Sequence, residues 1–462
     1  MRKAKYIFLC LLVFYGFVIA GDLNEQVKKD VVKNISELLQ QNYVFEDVGI
    51  ACGDHISSLL NDGKYNSISD YKEFAEKLTT DLQSISKDKH MRVRPVPQRS
   101  EILQADDPSI NRIQRLLDMR GQNNGFKKVE ILDGNIGYVD MRGFVEYEFA
   151  HETGAAAMKF LENSDALVFD MRQNGGGDPA MVQFICSYLF DKKTHLNSLY
   201  YRPSNTTTEF WTLDNLPGKK MPSIPVFVLT SSYTFSGAEE FCYNLKTRER
   251  ATLIGETTGG GANPGGMFPV NREIAIFIPT GRAINPVTGT NWEGTGVEPD
   301  IKTTSEDAFN IAMEKAQSAA KSYRESKLSN IKDLISHTDD ILNEAAELLK
   351  NENREKARQL VFEALEGRLH SGMFGEADIN LSGYSYLSNK QAGIAVLIFE
   401  FNTLKFPQSA NVYDSFGDAL KQAGRINDAV VSYKKAVELA KQNNDENLEI
   451  FKNNLKEAEK LL

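Results

Sequence analysis

The stretch PVFVLTSSYTFSGAEEF, residues 225–241, contains the change of pattern that decides the fold. Its opening PVFVLT is an unbroken apolar run, which indicates a strand buried on both faces. From Ser236 the pattern becomes helical, with Phe241 and Leu245 four residues apart on one face. A buried strand that leads directly into a helix is typical of α/β proteins.

Ser236 lies at this junction, and its position allows two interpretations. With Glu239 three residues later it forms the S-x-x-E pattern of a capping box, in which the hydroxyl satisfies a free N–H group. Alternatively Ser236 is a nucleophile, because the N–H groups and positive dipole end of a helix stabilise the oxyanion of acyl transfer. Gly237 would then let a substrate carbonyl approach the backbone closely.

A second loop points to the same chemistry. ALVFDMRQNGGGDP, residues 166–179, is a strand that ends in three glycines, Gly175–Gly177. Loops after parallel strands form the sites of α/β folds, and their N–H groups could supply the other half of an oxyanion hole. The alternative for this glycine run is a flexible turn. GETTGGGANPGG, residues 255–266, lacks the Gly-Lys-Ser/Thr of a phosphate loop, which argues against nucleotide binding.

Strand and helix patterns alternate from residue 91 to residue 305, which predicts an α/β core. Residues 21–90 follow a helical period and predict a helical N-terminal domain. From residue 306 the strands disappear, and a helical linker over 306–375 precedes a helical end over 376–462.

The helical end contains a repeat with a period of 34 residues. Gly383 aligns with Gly417 and Phe399 aligns with Tyr433, which are the small and aromatic positions of a tetratricopeptide repeat. Ala395 and Ala429 align in the same register. The alternative is an irregular helical bundle. Stacked helical pairs present a groove, so this region is expected to hold a protein partner or a substrate.

The first twenty residues differ from the rest of the chain. A basic start precedes an apolar run of about 15 residues, and Val18 and Ala20 are small residues before Gly21. This pattern predicts a secretory signal peptide over residues 1–20, with a membrane anchor as the alternative. The mature protein is then extracytoplasmic, periplasmic or secreted, and meets a membrane only during export.

Composition excludes several other functions. The net charge is −10 and no basic run is interleaved with aromatics, so nucleic acid is not an expected partner. Three cysteines remain after the signal peptide (Cys52, Cys186 and Cys242), which allows at most one disulfide bridge. No cysteine–histidine cluster has metal-ligand spacing, and we expect neither a metal nor a cofactor.

Three motifs together resemble the tail-specific (C-terminal-processing) serine peptidases. They are DMRQNGGG from residue 170, TSSYTFSGAEEF from residue 230 with the following ATLIGETTGGGA, and NWEGTGVEPDI from residue 291. The N-terminal helices and SKDKHMRV, residues 86–93, are more similar to the branch of the tricorn protease core and interphotoreceptor retinoid-binding protein. The resemblance covers residues 25–305 and implies a crotonase-like or Clp-protease-like ββα spiral. It also implies hydrolysis of peptide or protein substrates.

The resemblance implies a role for individual residues. Ser236 matches the nucleophile, His90 in DKHMRV matches the base, and Glu293 matches the acid that supports the base. The N–H of Gly237, with one from the 175–177 loop (Gly176 or Gly177), would hold the oxyanion. The processing proteases use a lysine base instead, but no lysine occupies the matching segment, Gly259–Gly261. Apart from the resemblance, a histidine beside Asp88 and Arg92 reads as a solvated surface residue.

Two departures from the family pattern bear on function. The tricorn-like set has a serine directly before the histidine, where this chain has Lys89. The stretch from Arg92 to Ile131 is too short for the PDZ domain of the processing proteases. These departures leave open a non-catalytic module that binds apolar ligands or peptides on the same fold, or an adaptor that acts through the helical repeats.

Overall fold

The computed structural model describes residues 23–96 and 108–462, so the predicted signal peptide lies outside the described residues. The chain divides into two units, Met1–Arg324 and Glu325–Leu462. The helices are α1 Glu25–Asn42, α2 Glu46–Asn61, α3 Tyr71–Ser86, α4 Pro108–Gly121, α5 Tyr147–Leu161, α6 Pro179–Ser187, α7 Gly237–Lys246, α8 Ala308–Lys350, α9 Arg354–His370, α10 Glu376–Ser388, α11 Ala392–Lys405, α12 Ala410–Gln422, α13 Ile426–Asn443 and α14 Leu448–Glu459. The strands are β1 Arg92–Pro95, β2 Phe126–Leu132, β3 Ile136–Met141, β4 Ala166–Asp170, β5 His195–Tyr201, β6 Thr206–Trp211, β7 Val226–Thr230, β8 Thr252–Gly255, β9 Gly265–Pro269, β10 Ile274–Pro279, β11 Gly281–Ile284 and β12 Ile301–Lys302.

The central sheet of the first unit has six strands in the order β12-β8-β7-β4-β3-β2. Only β2 runs antiparallel to its neighbour; the other pairs are parallel. Both faces are covered, which explains the unbroken apolar runs. In β4, Leu167 and Phe169 pack into one hydrophobic cluster, and Ala166 and Val168 pack into another on the opposite face. The predicted α/β core, with helices before it and an all-helical end after it, is confirmed.

Helices α1–α3 share a hydrophobic cluster with a smaller sheet of order β1-β10-β9. Val93 of β1 and Ile276 of β10 are paired in the sheet and buried in this cluster. The helical prediction for the N-terminal region is therefore confirmed. The predicted domain boundary at residue 90 falls inside one continuous hydrophobic core, because helices α1–α3 and the sheet β1-β10-β9 bury their apolar side chains against one another.

The second unit is wholly helical, and its pairs α10–α11 and α12–α13 repeat one contact. A β-carbon at Gly383 would lie 2.5 Å from the ring of Phe399, and one at Gly417 would lie 2.6 Å from the ring of Tyr433. The small residue in each pair thus admits an aromatic ring from the next helix. This is the correspondence that the 34-residue period predicts.

Two further observations concern the described chain as a whole. None of its helices combines the length and the apolar character needed to cross a membrane. Cys52, Cys186 and Cys242 are all buried and free, so the one disulfide bridge that three cysteines would allow is not formed.

Candidate active site

Ser236 follows β7 and directly precedes α7, as the sequence pattern predicts. Its backbone has φ 54° and ψ −121°, a region that residues other than glycine rarely occupy and that costs of order 1–3 kcal/mol. The Ser236 N–H donates to the Glu239 carboxylate at 2.9 Å, so the glutamate half of the capping box is present. This conformation places the serine at the mouth of a cavity at the start of a helix.

The turn before Ser236 is fastened to the end of β4 by buried hydroxyls. The Ser231 hydroxyl donates to the carbonyl of Arg172 at 2.6 Å, and the Thr234 hydroxyl donates to the carbonyl of Met171 at 2.8 Å. These bonds make the turn rigid enough to keep Ser236 in a strained conformation.

His90 lies between α3 and β1, and it packs against the turn that carries Ser236. Its ring centroid is 4.5 Å from that of Phe235 and 5.9 Å from that of Phe277. Ser236 and His90 line the same cavity of about 390 Å³, named here the active-site cavity, together with Gly177 and Gly237. The structure therefore brings together the predicted nucleophile and the predicted base, which are far apart in the sequence.

The environment of His90 favours its neutral form. Burial lowers the pKa of His90 to about 4, and the Arg92 charge acts in the same direction. Its Nδ1 is buried and has no hydrogen-bond partner among the residues that the structure describes. A neutral imidazole can take a proton, as a general base must.

Two carboxyl groups lie behind the histidine. Asp88 Oδ1 is 3.8 Å from His90 Nδ1 and also accepts the His90 backbone N–H at 2.9 Å. Glu293 comes from the NWEGTG loop, and its Oε2 accepts the Ala262 N–H at 2.5 Å. One ligand atom from each of Asp88, His90 and Glu293 lies within 4.8 Å of the others. These are groups that could also hold a metal ion, and the expectation of no metal stays a prediction.

Burial makes the two carboxyl groups titrate abnormally. Burial, followed by the nearby Asp88 charge, raises the pKa of Glu293 to about 8. Burial also raises the pKa of Asp88, opposed by hydrogen bonds from Asn263, the His90 N–H and Tyr43. Two adjacent carboxyl groups do not both ionise readily, so the pair is expected to hold one proton at neutral pH.

The glycine segment 259–261 is held in place by Glu239. This buried carboxylate accepts hydrogen bonds from Thr258 Oγ1 at 2.5 Å, the Gly260 N–H at 2.6 Å and the Gly261 N–H at 2.8 Å. A β-carbon at Gly261 would lie 2.6 Å from His90 Cε1. In this chain the segment that matches the lysine-bearing segment of the processing proteases contains only glycines, and its backbone packs against the imidazole of His90.

The side chain of Lys89 does not lie between His90 and Glu293, where a bridging serine would be expected. Its Nζ donates to the carbonyl of Gly259 at 2.6 Å, and the side chain is exposed. It lines a second cavity of about 550 Å³, named here the outer cavity, together with Arg92 and Arg94. His90 and Phe235 line both cavities.

The predicted oxyanion donors differ in availability. The Gly176 N–H already donates to Asn174 Oδ1 at 2.9 Å, so its use as an oxyanion donor would require that bond to break. The N–H groups of Gly177 and Gly237 donate to no other group in the described part of the chain. A β-carbon at Gly237 would lie 3.0 Å from the Gly177 nitrogen, so the two donors are adjacent. The assignment of Gly237 and Gly177 remains a prediction.

Asp88 and Glu239 are not among the residues that the motifs single out. Asp88 was available as a signal in the D-x-H spacing, because a carboxylate two residues before a histidine can accept that residue's N–H. Glu239 was recognised only as a cap, although its larger role is to hold Gly260 and Gly261.

A strained serine at a helix start, a largely buried histidine and a carboxyl pair are the groups that serine hydrolases use. Residues 135–303 match the sequence model of Peptidase family S41. Residues 22–127 match the model described as the N-terminal domain of Peptidase_S41 in eukaryotic IRBP. Residues 22–303 therefore belong to peptidase family S41, a family of serine-type peptidases.

Two curated relatives match over 178 residues, which are 37% of this chain. The carboxy-terminal-processing protease of Bartonella bacilliformis is 29% identical, and the match covers 39% of its length. The tricorn protease of Thermoplasma volcanium is 27% identical, and the match covers 15% of its length. The chain thus spans less than half of the length of either relative.

Solved structures resemble the chain only distantly. A putative peptidase from Parabacteroides merdae has a TM-score of 0.44 at 18% identity, over 63% of this chain and 96% of that one. The tricorn protease crystal structure has a TM-score of 0.39 at 13% identity, over 64% of this chain and 37% of that one.

Proposed function

We propose that this chain is an exported serine peptidase that hydrolyses peptide or protein substrates through a covalent acyl-enzyme. The observation that carries the proposal is that the strained Ser236 and the largely buried, neutral His90 line one cavity. The family assignment of residues 22–303 supports the same reaction class.

In the proposed mechanism the Ser236 oxygen bonds to the scissile carbonyl carbon while its proton passes to His90 Nε2. The N–H groups of Gly237 and Gly177 hold the resulting oxyanion. The leaving amine takes the proton from His90 as the C–N bond breaks, and water then hydrolyses the ester by the reverse sequence. The single negative charge of the Asp88–Glu293 carboxyl pair stabilises the imidazolium that forms in each half-reaction.

The test is covalent labelling of the purified chain with a fluorophosphonate probe. We expect labelling of the wild type and its loss in Ser236→Ala and His90→Ala. Ser223→Ala, an exposed serine of the same unit, is the matched control and should keep wild-type labelling. Undiminished labelling of Ser236→Ala would refute the assignment of the nucleophile.

Export and the repeats complete the proposal. The basic and apolar pattern of residues 1–20 supports a signal peptide and an extracytoplasmic location. The recurring glycine–aromatic contact of α10–α11 and α12–α13 supports tetratricopeptide-like pairing, through which the second unit would hold a protein partner.

A second candidate is a non-catalytic binding module. The outer cavity favours it, because Phe235, Phe277 and Met267 give it an apolar lining suited to a lipid-like ligand or a peptide. Tight binding of such a ligand by a chain whose Ser236 resists the probe would decide for this candidate.

A further inference from the structure

The unpartnered Nδ1 of His90 poses a specific requirement for the proposed reaction. When Nε2 takes the proton of Ser236, the ring becomes a cation and its Nδ1–H must find an acceptor. Both carboxyl groups behind the ring are close enough to accept it after a small shift, since Asp88 Oδ1 is 3.8 Å from Nδ1 and Glu293 lies within 4.8 Å. Catalytic hydrogen bonds often tighten from such distances when substrate binds.

The two carboxyl groups are not equivalent acceptors. Asp88 accepts the His90 N–H at 2.9 Å, the Asn263 amide at 2.9 Å and the Tyr43 hydroxyl at 3.3 Å. Its side chain is 1% exposed, and burial raises its pKa, but these three donors replace water and oppose that shift by stabilising the anion. Glu293 Oε1 is buried and has no partner in the described part of the chain, which is a poor setting for a negative charge.

We propose that Asp88 is the ionised positioning residue of His90 and that Glu293 keeps the proton of the carboxyl pair. The inference rests on the proposed function and refines it. It also accounts for Lys89: a bridging serine is unnecessary where a carboxylate lies directly beside the histidine nitrogen. The raised pKa of Glu293 agrees with the geometry.

The other charged groups around His90 each have hydrogen-bond partners of their own. The Arg92 guanidinium donates to the Lys89 carbonyl at 2.9 Å. Lys89 Nζ donates to the Gly259 carbonyl, and burial raises the pKa of Glu239 while the N–H groups of Gly260 and Gly261 oppose that shift. Titration of His90 is therefore expected to report on Asp88 and Glu293.

The experiment compares Asp88→Asn with Glu293→Gln, each of which removes a charge and keeps the shape. The probe-labelling rate is measured from pH 5 to pH 9. Asp88→Asn should lower the rate at least about 100-fold, in the range typical of an orienting carboxylate. Glu293→Gln should lower it less than about tenfold and remove the inflection near pH 8 at which Glu293 ionises.

Asp81→Asn is the matched control for stability. Asp81 is also buried and also accepts a tyrosine hydroxyl, from Tyr65 at 2.9 Å, but it packs among the N-terminal helices. It should lower the melting temperature without changing the pH profile of labelling. A loss of rate that merely follows the melting temperature across the three variants would overturn the positioning role.

A measurement that does not depend on catalysis separates this inference from the proposed function. Nitrogen-15 NMR of His90 should show a lower pKa in Asp88→Asn and an unchanged one in Glu293→Gln below pH 7. The reversed pattern, with Glu293→Gln losing labelling and Asp88→Asn keeping it, would make Glu293 the anion and overturn the proposal. A wild type that resists the probe but shows the predicted NMR shifts would refute the peptidase and retain the carboxyl assignment.

Discussion

At the scale of single residues, the site depends on backbone held in unfavourable conformations. Ser236 keeps a positive φ because Glu239 binds its N–H and because Ser231 and Thr234 fasten the preceding turn. Strain of this kind persists only where the surroundings over-determine it, and it is typical of nucleophiles at tight turns. The glycine loop of residues 175–177 packs directly against this strained segment.

Gly176→Ala tests that contact. The residue has φ 100°, and a β-carbon would lie 2.7 Å from both the Gly237 nitrogen and the Phe235 carbonyl oxygen. We expect probe labelling to fall at least about tenfold and stability to fall by about 1–3 kcal/mol. Gly266→Ala is the control, since its β-carbon would meet nothing within 4 Å. Equal labelling of the two variants would show that the loop does not support Ser236.

The sequence was informative for residues whose neighbours are local and uninformative for the others. Ser236 could be placed because strand, turn and helix are consecutive. The D-x-H spacing marks Asp88 only as an acceptor of the His90 N–H; its role beside the imidazole depends also on burial next to Asn263 and Glu293, which lie far along the chain. Burial of this kind is a property of the folded state alone.

At the scale of elements, the first part of α8 closes the sheet face opposite α5–α7. Ala308, Ala312, Ala316 and Ala320 recur every four residues and are buried against the central strands. Small side chains on one helical face allow the helix axis to approach the sheet closely. The strands beneath need no polar face, which is why their apolar runs are unbroken.

Ala316→Leu should therefore overpack this contact. Ala316 is fully buried, and inserted methylene groups in a tight core cost about 1–3 kcal/mol. Ser318→Leu, exposed on the same helix, should change stability by less than about 0.5 kcal/mol. Both tryptophans, Trp211 and Trp292, lie in the first unit, so fluorescence during urea unfolding reports on it. Equal midpoints for the two variants would contradict the packing.

Element types followed from periodicity, but sheet partners did not. The pairing of β1 with β10 joins Arg92 to Phe277, and no local pattern encodes that register. It arises because Val93 and Ile276 bury a common face on the N-terminal helices. The order of strands in this sheet is set by the shared core and cannot be read from the spacing of residues in the sequence.

At the scale of the whole molecule, the buried acids link stability to pH. Burial raises the pKa of Glu240 to about 8, as it does for Glu293. Both groups keep a proton in the folded state that they lose in the unfolded chain above about pH 4.5. Their contribution is thus present at low pH and is lost as pH rises through the folded pKa.

We therefore expect the first unit to lose stability between about pH 6.5 and pH 8. His90 acts in the opposite direction and only near the lower end of this range, because its unfolded pKa of about 6.5 leaves the unfolded chain partly protonated there, whereas its folded pKa of about 4 keeps the folded imidazole neutral. Each acid that stays protonated contributes a slope of up to about −1.4 kcal/mol per pH unit. Tryptophan-monitored urea unfolding at pH 6.5, 7 and 8 measures the slope, and Glu240→Gln and Glu293→Gln should each flatten it. A slope that neither substitution changes would mean that both acids are ionised in the folded protein, and would remove the charge asymmetry assigned to Asp88 and Glu293.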